Sequence, residues 1–235
     1  MQIDVAVAKV AKYPYRVSGD TLEMIERPHG GLSFVLVDGQ GHGPAAKHLS
    51  HLVAAKAVSL LADGVRDGAA ARATHDFLYA YRQGKVSADL TIVSVDLVSK
   101  TIVLSRNSAC PLLIFSSGEL RLVDEPAQPI GIYARTKPAV TEIALAEGLV
   151  VVTPSDGVLE AGGRYGQLID LLAAVRPLLT PSASAQSIAD GLLAQAVALD
   201  KGRPEDDASV LVLTTSAQAS EDAPRRLHVS FPVEV

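Results

Sequence analysis

The sequence predicts an α+β fold in which two packed, mainly antiparallel β-sheets are flanked by pairs of helices. Three observations lead there. Apolar runs of strand length are separated by short turns of Gly, Pro, Asn and Ser rather than by helices. Helical apolar spacing is confined to two places, each holding a pair of segments. The resulting order is strands, two helices, many strands, two helices and one strand, which lacks the regular βαβ alternation of a doubly wound parallel sheet.

Residues 2–12 open with Ile3, Val5 and Val7 set against Gln2 and Asp4, a partial alternation that predicts a strand. A second strand is expected over residues 21–26. The turn Pro28-His29-Gly30-Gly31 then leads into the apolar run 32–37, so the two strands form a hairpin. Asp38 stands where this strand ends. Gly43-Pro44 starts a helix, because the N–H that Pro lacks has no partner in the first turn anyway. Its stripe of Leu49, Leu52, Val53, Ala57 and Leu60 carries it to about Ala62, and Gly64 closes it. A second helix is expected over residues 69–81. Residues 90–97, 101–105, 112–115 and 120–123 read as an antiparallel meander. Residues 140–145 and 149–153 read as two more strands joined by Glu147-Gly148, with Pro154-Ser155-Asp156-Gly157 closing the second. Helical spacing returns over residues 165–179 and 184–199, with Pro181 between them as a stop and Ser182 or Ser184 as the N-cap. Residues 208–214 form a last core strand. Residues 1–215 are thus one domain and 216–235 a tail. The tail is small, polar and acidic over 216–224, which predicts a mobile linker, and residues 227–231 are a candidate edge strand.

With 235 residues, 48% of them hydrophobic, the chain can hide roughly 70% of its unfolded surface on folding. Its net charge of −5 excludes the broad electropositive footprint that drives non-specific nucleic-acid binding. Trp is absent and aromatics make up only 4%, so Ala, Val and Leu must fill the core and platforms for stacking bases are scarce. Cys110 is the sole cysteine, which excludes an intramolecular disulfide and a cysteine zinc site. The first residues lack a basic region followed by an apolar one, and no stretch reaches membrane-spanning length, so a cytoplasmic protein is expected.

Acids sit at unusual positions. Asp-Gly pairs occur at Asp38, Asp63, Asp67, Asp156 and Asp190, and Asp-Gly is a common turn dipeptide. Asp63, Asp67 and Asp190 lie at helix ends or within helical segments and are read as structural. Asp38 and Asp156 instead follow apolar strands, and Asp20 and Asp206-Asp207 adjoin strands expected to be central. Carboxylates gathered at converging strand ends repel one another unless cations neutralise them. Oxygen ligands without nearby Cys or His favour Mg²⁺ or Mn²⁺ over zinc. Two such ions about 4 Å apart can activate a water and clamp the entering and leaving oxygens of a phosphoryl displacement.

Gly19-Asp20, then Val37-Asp38-Gly39-Gln40-Gly41-His42-Gly43 leading into a helix, then Pro154-Ser155-Asp156-Gly157-Val158-Leu159-Glu160-Ala161, then Asp206-Asp207-Ala208-Ser209-Val210-Leu211-Val212-Leu213 resemble the ordered motifs of the metal-dependent, protein phosphatase 2C-like family. The branch they most resemble is the bacterial stage II sporulation protein E type, and the short layout is similar to that of stand-alone RsbX-like stress-pathway phosphatases. The resemblance implies an αββα sandwich and a two-metal serine/threonine phosphatase whose bridging hydroxide attacks phosphorus directly. It further implies that Asp38 bridges two Mn²⁺ or Mg²⁺ ions, that the Gly39 carbonyl binds one of them, and that Asp20, Asp156 and Asp206 complete the set, with Asp207 a neighbour. Arg16 corresponds to a phosphate-binding Arg of the eukaryotic branch, and a guanidinium suits bidentate phosphate contact. Gln40 stands where that branch carries a His, so the general acid is unassigned; His42 is the candidate. Glu160 resembles a structural position.

Other features read as structural. His48 and His51 sit three apart on the first long helix without a third ligand, as on a solvated face. Cys110, before Pro111 in an apolar setting, reads as a buried inert thiol. The resemblance implies a phosphoprotein substrate in a partner-switching or stress pathway, such as an anti-anti-sigma factor or a stress-complex scaffold. Two alternatives stand beside it: a catalytically inactive pseudophosphatase that binds phosphoproteins, and a two-metal hydrolase of another phosphoester such as a nucleotide.

Overall fold

The computed structural model describes residues 1–217 and 224–230. Its strands are β1 (Gln2–Val10), β2 (Thr21–Glu26), β3 (Gly31–Gly39), β4 (Ala88–Asp96), β5 (Thr101–Asn107), β6 (Leu112–Ser116), β7 (Glu119–Val123), β8 (Ala139–Ala144), β9 (Val150–Pro154) and β10 (Ala208–Ser216). Its α-helices are α1 (Gly43–Ala62), α2 (Asp67–Arg82), α3 (Asp156–Leu159), α4 (Leu171–Val175) and α5 (Ala185–Leu199). The strands form two five-stranded sheets, ordered β1-β10-β9-β6-β7 and β2-β3-β4-β5-β8, and every pairing is antiparallel. This is the α+β sandwich expected.

Alternation along the strands builds three cores. Val35 and Val37 of β3, with Leu90 and Ile92 of β4, pack under α1 and α2. Phe34, Val93, Leu211 and Leu213 point the other way, into the space between the sheets. Val210 and Val212 of β10, with Val152 of β9, pack under α5. Central strands covered on both faces read as continuous apolar runs, because a strand's alternate residues face opposite cores. Ala-rich helix faces such as Ala46, Ala54 and Ala57 of α1 replace the missing aromatic bulk.

Four expectations need correcting. Residues 90–123 do not form one meander, because β4 and β5 belong to one sheet and β6 and β7 to the other. The strands expected at 140–145 and 149–153 likewise divide between the sheets as β8 and β9, so Glu147-Gly148 crosses the sandwich rather than turning a hairpin. The helix expected over 165–179 is broken: Gly166 adopts φ +70°, Asp170 caps α4 by accepting the Ala173 N–H, and α4 ends at Val175 before a 3₁₀ turn containing Pro177. Residues 227–230 form no edge strand; Leu227 is 77% exposed, and Arg225 pairs with Glu26 at 3.1 Å. Phe231 and most of the linker expected over 216–224 lie outside the described residues. Ser184, rather than Ser182, caps α5, in a reciprocal capping box with Ser187. Among the described residues no helix is long and apolar enough to cross a membrane.

Candidate active site

The antiparallel registers bring acids from both sheets to one end of the sandwich. Asp38 is the penultimate residue of β3, and Asp20 immediately precedes β2, whose Thr21 pairs with Val37. Asp156 is the first residue of α3, directly after β9, and Asp206-Asp207 directly precede β10. Asp89 of β4 lies opposite Asp38 in the register. The sequence reading missed Asp89, because it began that strand at Leu90 and because the pairing of strands this far apart leaves no local signal.

Two glycines let these segments meet. A Cβ on Gly39 would lie 2.4 Å from the Ala46 carbonyl oxygen of α1, and one on Gly157 would lie 2.2 Å from the Asp207 carbonyl oxygen. Asp38-Gly39 and Asp156-Gly157 are therefore close-approach sites rather than tight turns. Gly19 approaches in the same way; a Cβ there would lie 2.9 Å from Asp207 Oδ2.

The cluster is electrostatically unbalanced. Burial pushes the Asp38 carboxyl up to about 11, helped by the charges of Asp20 and Asp156, a hydrogen bond shared with Asp156, and the charge of Asp89. Asp20, 0% exposed, is raised to about 7, chiefly by burial and then by Asp207 and Asp156. The Ser209 and Ser155 hydroxyls lie near enough to moderate that rise, but neither completes a hydrogen bond, and both Asp20 oxygens are unpartnered. Asp156 Oδ1 and Asp207 Oδ2 are buried and unpartnered as well. Burial also raises Asp89 to about 6, against a hydrogen bond from Ser108 and the charge of Arg106. Asp206 is raised by burial and lowered by the Asp207 N–H and by Lys12.

Unpartnered buried carboxylate oxygens are costly, and a hard divalent cation is the partner their chemistry fits. Among the described residues no three acidic, histidine or cysteine side chains are already arranged as a metal cage. The acids are gathered, with Asp20, Asp156 and Asp89 all acting on Asp38.

Asp20, Asp38, Gly39 and Asp156 thus come together as the spacing suggested. Asp206 is half-buried at the margin, with Lys12 Nζ 3.8 Å from its Oδ1. Asp207, expected only as a neighbour, lies deeper; its Oδ1 accepts the Lys12 backbone N–H at 2.9 Å. Arg16 is exposed in the loop before Asp20. His42 is the exposed N-cap residue of α1, its ring tilted by 31° against that of Tyr15 with centroids 4.7 Å apart. Gln40 is tied to β4, its Oε1 accepting the Ser87 N–H at 3.0 Å. His48 and His51 are exposed, and burial raises the Cys110 thiol's pKa well above its ordinary value. Asp63 and Asp190 are exposed, but Asp67 is no turn residue: it is buried in the first turn of α2 and bonded to Arg27 at 3.0 Å and to Ser94. A separate cavity of about 320 Å³, lined by Asp4, Phe115, Ile188 and Thr214 among others, sits at the far end of β10, away from the acids.

Residues 28–216 match the family model described as stage II sporulation protein E. That segment includes Asp38, Gly39, Asp156 and Asp206 and begins after Arg16 and Asp20. A stage II sporulation protein E from Priestia megaterium is 25% identical over 211 residues, which are 89% of this chain and 36% of that protein. The chain therefore spans about a third of that relative. The solved PP2C phosphatase domain, with a fragment of the regulatory domain, of the cell fate determinant SpoIIE from Bacillus subtilis superposes with a TM-score of 0.80 at 22% identity, covering 93% of this chain and 63% of that one. RsbX in complex with magnesium superposes with a TM-score of 0.69 at 14% identity, covering 91% and 96%. The chain belongs to the stage II sporulation protein E family and has the fold of its PP2C phosphatase domain.

Proposed function

We propose that this chain is a metal-dependent protein serine/threonine phosphatase with a centre of two Mn²⁺ or Mg²⁺ ions. Its substrate in this reading is a cytoplasmic phosphoserine or phosphothreonine protein of a partner-switching pathway, an anti-anti-sigma factor or a stress-complex regulator. Family membership supports the reaction class, and the likeness to RsbX in complex with magnesium supports the pathway and the metal. The observation that carries the proposal is Asp20, fully buried with both oxygens unpartnered beside Asp207 and Asp156.

Asp20, Asp38, Asp156 and Asp206, with the Gly39 carbonyl, would hold the ions, and Asp89 and Asp207 stand within the same field. Bound divalent cations supply Lewis acidity that activates water and offsets charge on the phosphoryl oxygens. The chain's own groups do the rest. The two sheets fix the carboxylates relative to one another, so no reorganisation is needed as charge develops. Arg16, on its exposed loop, is suited to grip two phosphoryl oxygens at once. His42, held by the Tyr15 ring, is the candidate to give a proton to the departing serine oxygen.

The test is hydrolysis of p-nitrophenyl phosphate and of a phosphoserine protein with and without Mn²⁺ or Mg²⁺. Turnover that needs added metal and is abolished by EDTA is expected. Metal-saturated protein that binds phosphoproteins without turnover would leave the pseudophosphatase reading.

A further inference from the structure

One margin of the acid cluster displays tyrosines against cations, as the Phe77–Tyr81 pair of α2 does elsewhere with Lys56 and Arg82. Tyr13 is 55% exposed, and the Arg203 guanidinium lies over its ring, 5.3 Å from the centroid. Tyr165 is 41% exposed and carries Lys201 Nζ 3.8 Å from its centroid. Tyr15, 41% exposed, packs at a tilt against His42. Half of the chain's six tyrosines are therefore displayed on this margin, two of them against a cation within the range of cation–π attraction.

Hydrogen bonds join the three loops and tie them to the acids. The Tyr13 N–H donates to the Pro204 carbonyl at 2.9 Å. Buried Asp200 accepts the Gly162 N–H at 2.8 Å and the Glu205 N–H at 3.1 Å, which locks the Tyr165 loop to the segment leading into Asp206-Asp207. The Lys12 N–H bonds Asp207 directly. Of the exposed acids here, Glu205 is taken by Arg164 at 3.2 Å, and Glu160 directly follows α3, within the field of Asp156 and Asp206. Lys12 is engaged by Asp206 at 3.8 Å, so Lys201 and Arg203 are the cations this margin offers, on a chain whose net charge is −5.

We infer that this tyrosine and cation rim docks the polypeptide on either side of the phosphorylated residue and selects an acidic segment. The inference rests on the phosphatase reading and names the substrate class of that site. Tyrosines pinned by cations are rigid apolar anchors that lose little entropy on binding. Cations at an exposed rim act on encounter and selectivity more than on the chemistry at the floor. Carboxylates flanking the phosphoserine meet Lys201 and Arg203, whereas a basic segment meets the same charges and is repelled.

Three probes on Mn²⁺-loaded protein test it: a phosphoserine peptide flanked by glutamates, the same peptide flanked by lysines, and p-nitrophenyl phosphate. The glutamate peptide is expected to show about tenfold higher kcat/KM, mainly through KM, with the gap closing as salt rises. The double variant Lys201→Glu with Arg203→Glu is expected to reverse the peptide preference and to keep aryl phosphate turnover within about twofold. Fluorescence anisotropy of the labelled peptides on Asp38→Asn protein reads docking without turnover and is expected to give the same ranking. Loss of aryl phosphate hydrolysis in the unmodified protein would defeat the phosphatase reading, and anisotropy would still decide the rim. Equal capture of the two peptides by unmodified protein, or a preference unmoved in a double variant that melts with wild type, overturns the inference.

Discussion

Asp67, beneath the turn joining α1 to α2, and Asp20, at the junction of the two sheets, are both buried carboxylates, and they differ in what surrounds them. Asp67 receives Arg27 and the Ser94 hydroxyl, while Ser94 and Ser33 share a bond of 2.7 Å and Arg27 also reaches the Val65 carbonyl at 2.8 Å. That charge is closed within the fold. Asp20 has two unpartnered carboxylate oxygens: Lys47 and Lys9 bond its backbone carbonyl, at 2.6 and 3.3 Å, and Asp207 and Asp156 act on its carboxyl. The first arrangement is a clasp holding α2 to its sheet. On the proposed function the second is completed by cations from outside, and this would separate a structural buried acid from a functional one.

The largest effect expected is at Asp38, the carboxyl that faces Asp20, Asp156 and Asp89 together. Asp38→Asn should lower metal-dependent hydrolysis of p-nitrophenyl phosphate by about a thousandfold, roughly 4 kcal/mol of barrier, without unfolding the protein. A rate near that of wild type would remove Asp38 from the chemistry. Asp67→Ala should do the reverse: it leaves Arg27 buried without its partner and should cost about 3–5 kcal/mol in urea unfolding, with metal affinity unchanged. A loss under about 1 kcal/mol would mean that the clasp is only a surface-type pair.

A third contrast is in pH. Asp20 and Asp38 titrate higher in the metal-free folded state, at about 7 and about 11, than a carboxyl does in an unfolded chain. Above about pH 4 the unfolded chain releases protons that the folded state keeps, so metal-free stability should fall as pH rises. Unfolding free energies from urea titrations in EDTA should drop between pH 5 and pH 7 by at most about 5 kcal/mol, and saturating Mn²⁺ should remove the drop, because bound metal replaces the protons. A flat metal-free profile would show that the cluster carries no such strain. The smallest effects are expected at the exposed Asp-Gly pairs: Asp63→Asn and Asp190→Asn should each stay within about 0.5 kcal/mol of wild type and leave turnover unaltered.

The legibility of the fold follows the same division. Strands such as 21–26 and helices such as α1 and α5 were readable because period and caps are local properties. The assignment of β6 to β9 between two sheets was not, since a strand buried on both faces shows the same apolar run in either sheet. The helix expected over 165–179 failed at Gly166 and Pro177, whose local effects outweighed the apolar spacing. At the site, Asp38 and Asp156 stood out as acids following apolar strands, and Asp20 as an acid beside a strand expected to be central. Asp89 did not, because its place depends on register, and Asp67, read as structural, gave no sign of its partner Arg27, forty residues away.

Calorimetric titration of metal-free protein with Mn²⁺ tests most directly whether the unpartnered acids exist for cations, comparing wild type with Asp20→Asn and Asp67→Asn. The account predicts saturable binding with proton release in wild type and in Asp67→Asn, and its loss in Asp20→Asn. Binding that survives unchanged in Asp20→Asn, or no saturable binding in wild type, would contradict it.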